Sequence, residues 1–252
     1  MSENNEKPKL ENTEQSLISH LLEVRNRLLH IVVAVLVIFL GLFSFAEELY
    51  GWLADPLLRY LPENSTMIAT QVASPFLAPF KLSIVLAIFV AIPYILYQIW
   101  AFIAPGLYKH EQKMFLPLLV SSSLLFYLGA AFAYYVIFPL VFQFFTSINL
   151  EGVTQMTDIS EYLDFVLKMF MAFGVSFEVP VAIVLLTKMG ALDANTLGEK
   201  RPYVIVGSFV VGMLITPPDI ISQVLLAVPV WLLFELGVIV AKAIDKKDLE
   251  DV

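Results

Sequence analysis

The 252-residue chain is predicted to be an all-α membrane protein with six transmembrane helices, and three observations carry that expectation. Hydrophobic residues make up 59% of it and charged residues 15%, far from the roughly 45–50% apolar and about 25% charged make-up of soluble domains. The apolar residues gather into six runs, most of them near the roughly 20 residues that cross a bilayer as a helix. The runs are continuous, whereas the strands of a membrane barrel are shorter and alternate. Mean hydropathy is +0.80.

The first run, residues 28–46, follows HLLEVRNRLL, in which Leu21, Val24 and Leu28 fall at helical spacing. That segment reads as an amphipathic interfacial helix presenting Glu23, Arg25 and Asn26 to the aqueous side. The run is too long for the apolar part of a signal peptide and has no small-x-small cleavage site, so it is expected to be retained. Runs 82–104, 114–145 and 163–189 follow, then 203–215 and 220–241. Pro93, Pro117, Pro139, Pro180 and Pro229 lie inside them, and each removes an N–H and tends to kink its helix, which predicts curved elements. Residues 203–215 would make only about 20 Å of helix against a hydrocarbon core of roughly 30 Å, so the bilayer thins there or polar backbone extends the span. The chain divides into a polar tail over residues 1–19, one membrane domain over 20–241 and a charged tail over 242–252.

Orientation follows from the basic residues. Lys7, Lys9, Arg25, Arg27, Lys109, Lys113, Lys188, Lys200, Arg201, Lys242, Lys246 and Lys247 all fall on one side if every run crosses. The positive-inside rule then makes both termini cytoplasmic. The net charge of −8 predicts no affinity for nucleic acid or anionic lipid, although an average hides where the charges sit. Without cysteine there is no disulfide, thiolate metal site or thiol nucleophile. The sequence carries no phosphate loop, H-E-x-x-H or G-x-S-x-G, which argues against ATP hydrolysis, proteolysis and enzymatic activity generally, and it implies no cofactor or metal.

Several polar residues stand out. Glu178, in FGVSFEVP, sits in an apolar run at a cost of roughly 2.5–3.5 kcal/mol on insertion scales. Two readings stand: it bonds a carbonyl freed by Pro180, or it is functional. Glu111, in IAPGLYKHEQK, is either a solvated turn charge or an acceptor for a partner's guanidinium. Asp219, in the bend TPPDIISQ, is placed to cap the last helix, while Thr216 and Gln223 can bond across a helix interface. Asp158 and Glu161 are spaced as a capping box.

In order, HLLEVRNRL, VASPFLAPFKL, FIAPGLYKHE, FGVSFEVP, TPPDIISQ and VPVWLLFE resemble the TatC family, the core subunit of the twin-arginine protein translocase. The resemblance runs from about His20 to Ala241. It implies a cup-shaped array in a bacterial cytoplasmic membrane, with Glu178 on the concave face. It implies that Glu111 and Glu23 receive the paired arginines of a signal peptide, with Phe102 and Arg25 shaping the same patch. Single-span TatA and TatB subunits would dock at Met213, Thr216 and Gln223, the chain would self-associate into a multi-copy receptor, and the proton-motive force would drive export of folded proteins. Many members carry an acid where this chain has Phe76 and Leu77, so no charge role transfers there. Pro202 also interrupts the basic stretch before span five. A proton-coupled small-solute transporter using Glu178 is the alternative from a different class, disfavoured by the absence of a visible internal repeat.

Overall fold

The computed structural model describes residues 7–58, 67–103, 115–148, 156–193, 196–215 and 219–250. Among them the regular structure is helical. The helices are α1 (Lys7–Leu42), α2 (Ala46–Leu58), α3 (Ser74–Ile103), α4 (Phe115–Phe132), α5 (Phe138–Ser147), α6 (Ile159–Phe177), α7 (Val179–Lys188), α8 (Arg201–Ile215) and α9 (Ile220–Glu250). Helix α2 follows directly on α1, and α4–α5 and α6–α7 each continue one apolar run, so the nine α-helices among the described residues make six crossings. Five are long and apolar enough to span a bilayer. The sixth is α8, whose 15 residues give about 22 Å at 1.5 Å per residue.

The proline positions explain the breaks. Pro139 is the second residue of α5, and the five residues before that helix, Ala133–Ile137, form a π-helical turn. The wider turn accommodates a residue that cannot donate and whose ring crowds the carbonyl four back. Pro180 is likewise the second residue of α7, and Glu178 is the joint between α6 and α7. Pro117 falls in the first turn of α4, where its missing N–H costs nothing. Pro93 and Pro229 lie within α3 and α9. Pro202 does not disturb the start of α8; it sits in its first turn.

Close packing centres on α6. Gly129 of α4 faces the Phe173 carbonyl, and a Cβ there would meet it at 2.5 Å, while a Cβ on Gly174 would strike the Phe126 ring at 2.6 Å. Small residues let membrane helices approach to backbone contact. Around that seam Ile137, Phe138, Val141, Val166, Met169, Phe173 and Leu226 are buried. By contrast α1 packs mainly on α3 and exposes Val33, Val37 and Leu40, the surface that lipid covers.

Segment 67–70 is tied to the start of α6 by backbone bonds, Ile68 N–H to the Thr157 carbonyl at 3.0 Å and Ile159 N–H to the Ile68 carbonyl at 2.9 Å. Asp158 caps α6 as expected, accepting from the N–H groups of Ser160 and Glu161. The return bond of a capping box is absent among the described residues. The second carboxylate oxygen instead accepts from the Thr70 N–H at 2.8 Å and hydroxyl at 2.7 Å.

Candidate functional site

The middle of α1, around Glu23 and Arg27, and the C-terminal end of α3 meet toward the end of the bundle that carries both termini. Arg27 joins them. It donates to Glu23 Oε1 from Nε at 3.0 Å and from Nη2 at 2.7 Å, a pairing allowed because the residues are four apart on one helix. Nη1 reaches Gln98 Oε1 at 3.1 Å, and Nη2 also reaches the Ala101 carbonyl at 3.2 Å. Gln98 in turn donates to the Tyr94 hydroxyl at 2.8 Å. A cavity of about 580 Å³ opens beside the cluster, lined by Glu23, Asn26, Arg27, Tyr94, Tyr97 and Gln98 among others.

The consequence for Glu23 is geometric. Both guanidinium bonds fall on Oε1, so Oε2 makes no bond among the described residues, and the side chain remains 39% exposed. A carboxylate held this way can accept a further cation without moving. Arg25 and Phe102 are exposed at the same end. Glu111 lies outside the described residues. Arg27, which the sequence marks only as a topology signal, is the residue that builds the cluster; its partner Gln98 is 71 positions away.

Glu178 turns toward α4. The Ser122 hydroxyl donates to its Oε2 at 2.6 Å, and Oε1 is buried with no partner among the described residues. The carboxylate therefore bonds a neighbouring helix, not a carbonyl freed by Pro180, and its own N–H closes α6 on the Val175 carbonyl at 3.0 Å. Ser122 is fully buried.

At the opposite end, α8 and α9 touch where Gly212 faces Gln223, with the Gln223 backbone 3.6 Å from a Cβ built on Gly212. Met213 is exposed beside this contact. Asp219 caps α9 through the Ser222 N–H at 2.6 Å. Thr216 lies outside the described residues. Toward the other end of α8, Arg201 makes a bidentate pair with Glu235 of α9, 2.5 Å from Nε and 2.8 Å from Nη2. The last residue of VPVWLLFE thus holds the start of α8, which its place in an apolar run does not reveal. No cluster of metal-ligating side chains occurs among the described residues.

The family model described as Sec-independent protein translocase protein (TatC) matches residues 19–229. The Sec-independent protein translocase protein TatC of Azotobacter chroococcum mcd 1 is 61% identical over 222 residues, covering 88% of this chain and 87% of that one. Its counterpart in Escherichia coli strain K12 is 60% identical over 224 residues, covering 89% and 87%. A crystal structure of the twin arginine translocase receptor TatC superposes with a TM-score of 0.81 at 38% identity, over 89% of this chain and 98% of the other. With the six-crossing fold and the ordered segments already described, these similarities establish that the chain belongs to the TatC family.

Proposed function

We propose that the chain is the signal-receiving core subunit of a twin-arginine translocase in the bacterial cytoplasmic membrane, with both termini in the cytoplasm. The observation that carries this reading is Glu23, held on one oxygen by Arg27 and open on the other beside a polar cavity. One signal arginine pairs with Glu23 and the other with Glu111, while Phe102 and Arg25 border the patch. Guanidinium groups suit such a site because a fixed carboxylate takes their planar fork, and lysine offers only a point charge. The solved relative is itself named a receptor.

TatA- and TatB-type single-span subunits dock where α8 meets α9, at Met213, Thr216 and Gln223, and several copies of the chain assemble into one receptor. Export of folded proteins draws on the proton-motive force. The test is photocrosslinking from Phe102 to a precursor bearing an Arg-Arg signal and to its Lys-Lys twin, each with and without Glu111→Ala. Crosslinks should require both the arginine pair and Glu111. Equal yield in all four cases would sink the recognition patch.

A further inference from the structure

A second cavity, of about 720 Å³, runs between α3, α6 and α8, with α7 and α9 at its edges. Its walls are apolar, including Leu167, Met171, Val204 and Val211. Two serines also line it, and both are satisfied within their own helices: Ser176 donates to the Ala172 carbonyl at 2.6 Å and Ser208 to the Ile205 carbonyl at 2.7 Å. Nothing along the walls asks for a polar ligand.

One end is different. Lys81, Asp164 and Lys168 line it; Lys81 pairs with Asp164, and Lys168 is exposed with no ion pair among the described residues. Two lysines against one carboxylate leave a net positive charge. Lys81 is seven residues into α3 and Lys168 nine into α6, so their Cα atoms lie about 10 and 14 Å along those helices. Both helices begin at the end of the bundle opposite the termini, and side chains lean toward a helix's N-terminus. Both ammonium groups therefore reach toward the headgroup layer of that leaflet.

We infer that this groove is a binding site for an anionic phospholipid of the leaflet opposite the termini, its phosphate at Lys168 and Lys81 and an acyl chain along the α6–α8 wall. Charge and size together select the occupant. An unpaired cation at this depth calls for a counter-charge, and a headgroup phosphate supplies one that the apolar walls do not. The volume of about 720 Å³ falls within the roughly 300–1,000 Å³ of small-molecule sites. The inference depends on membrane embedding alone and is independent of signal recognition.

The experiment uses the whole chain in phosphatidylcholine vesicles carrying a trace of phosphatidylglycerol with a photoreactive acyl chain, or the same acyl probe on phosphatidylcholine. Adducts are mapped by mass spectrometry. Adducts on Met171, Val204 or Val211 should be about five-fold more abundant with the anionic probe, the factor that one lysine–headgroup contact of about 1 kcal/mol supplies. Lys168→Gln should reduce them to the phosphatidylcholine level and Lys168→Arg restore them, while Val211→Trp, which fills the groove, should remove them with either headgroup. Adducts on the exposed face of α1 report that each variant is folded and embedded. Equal labelling of the groove by both probes, or labelling of α1 without the groove, overturns the assignment. In cell membranes, a photoreactive residue at Val211 should yield a lipid-sized adduct; a protein-sized one would give the groove to a partner helix instead.

Discussion

Arg27 illustrates how one side chain sets a site at the residue scale. Its bonds to Glu23, Gln98 and the Ala101 carbonyl join α1 to α3 while leaving Glu23 Oε2 open. Arg27→Ala removes that tie and leaves a carboxylate without its partner. Hydrogen bonds to charged groups contribute about 1.5–3 kcal/mol when protected, less where solvent reaches them as here, so a loss of about 1–2 kcal/mol and a fall of several degrees in melting temperature is expected in detergent. Arg27→Lys should recover only part of it, because an ammonium lacks the fork that spans both helices. A melting temperature unchanged by Arg27→Ala would mean that α1 is held by its apolar contacts alone. Glu23 as a candidate is legible from its position in HLLEVRNRLL, but its fixed orientation is not, because Gln98 comes from another helix. Ser122 stands in the same relation to Glu178: the costly acid is visible in sequence, the hydroxyl that receives it is not.

At the scale of elements, the link between segment 67–70 and α6 turns on Asp158. The Thr70 hydroxyl, foremost, with the N–H groups of Thr70, Ser160 and Glu161, holds the Asp158 carboxyl below its ordinary 3.8, at about 2. A folded pKa below the unfolded one adds stability that is complete above the unfolded value and disappears as pH falls through the folded value. The link should therefore be intact above about pH 4 and weaken between about pH 4 and pH 2. Amide exchange at Ile68 and Ile159, compared at matched intrinsic rates, checks this. Protection should fall on acidification in the native protein, and Asp158→Asn should show reduced protection already at neutral pH, with little further change. Asp158 as a helix start is readable from local spacing, and its cap appears where expected. That Thr70 occupies the other oxygen, 88 positions away, is a tertiary fact. The prolines behave similarly: their disturbance of the helices is a local steric necessity, but whether each yields a π turn, a joint or a continuous bend depends on what packs beside it.

On the scale of the whole molecule, the six crossings put both termini at one end, and the short α8 stands beside the apolar groove. The distribution of lysine and arginine predicts that this end is cytoplasmic. Because the chain has no cysteine, the orientation is measurable with single introduced thiols. Ser147→Cys should react with an impermeant maleimide in intact spheroplasts and Glu250→Cys only after permeabilisation; the reverse pattern would invert the topology. The number of crossings, their helical nature and the shortness of the fifth follow from sequence alone, since apolar length against bilayer thickness and the need to satisfy every backbone group in lipid are properties of single segments. The same is true of family membership, carried by ordered local motifs. Tertiary structure alone decided which polar groups meet: Arg27 with Gln98, Ser122 with Glu178, Arg201 with Glu235, and Lys81 with Asp164 at the mouth of a groove. Inside a bilayer every helix carries the same apolar signature, so periodicity cannot say which faces pair. That is settled by shape, at glycines such as Gly129 and Gly174, and by the few polar side chains that must find one another.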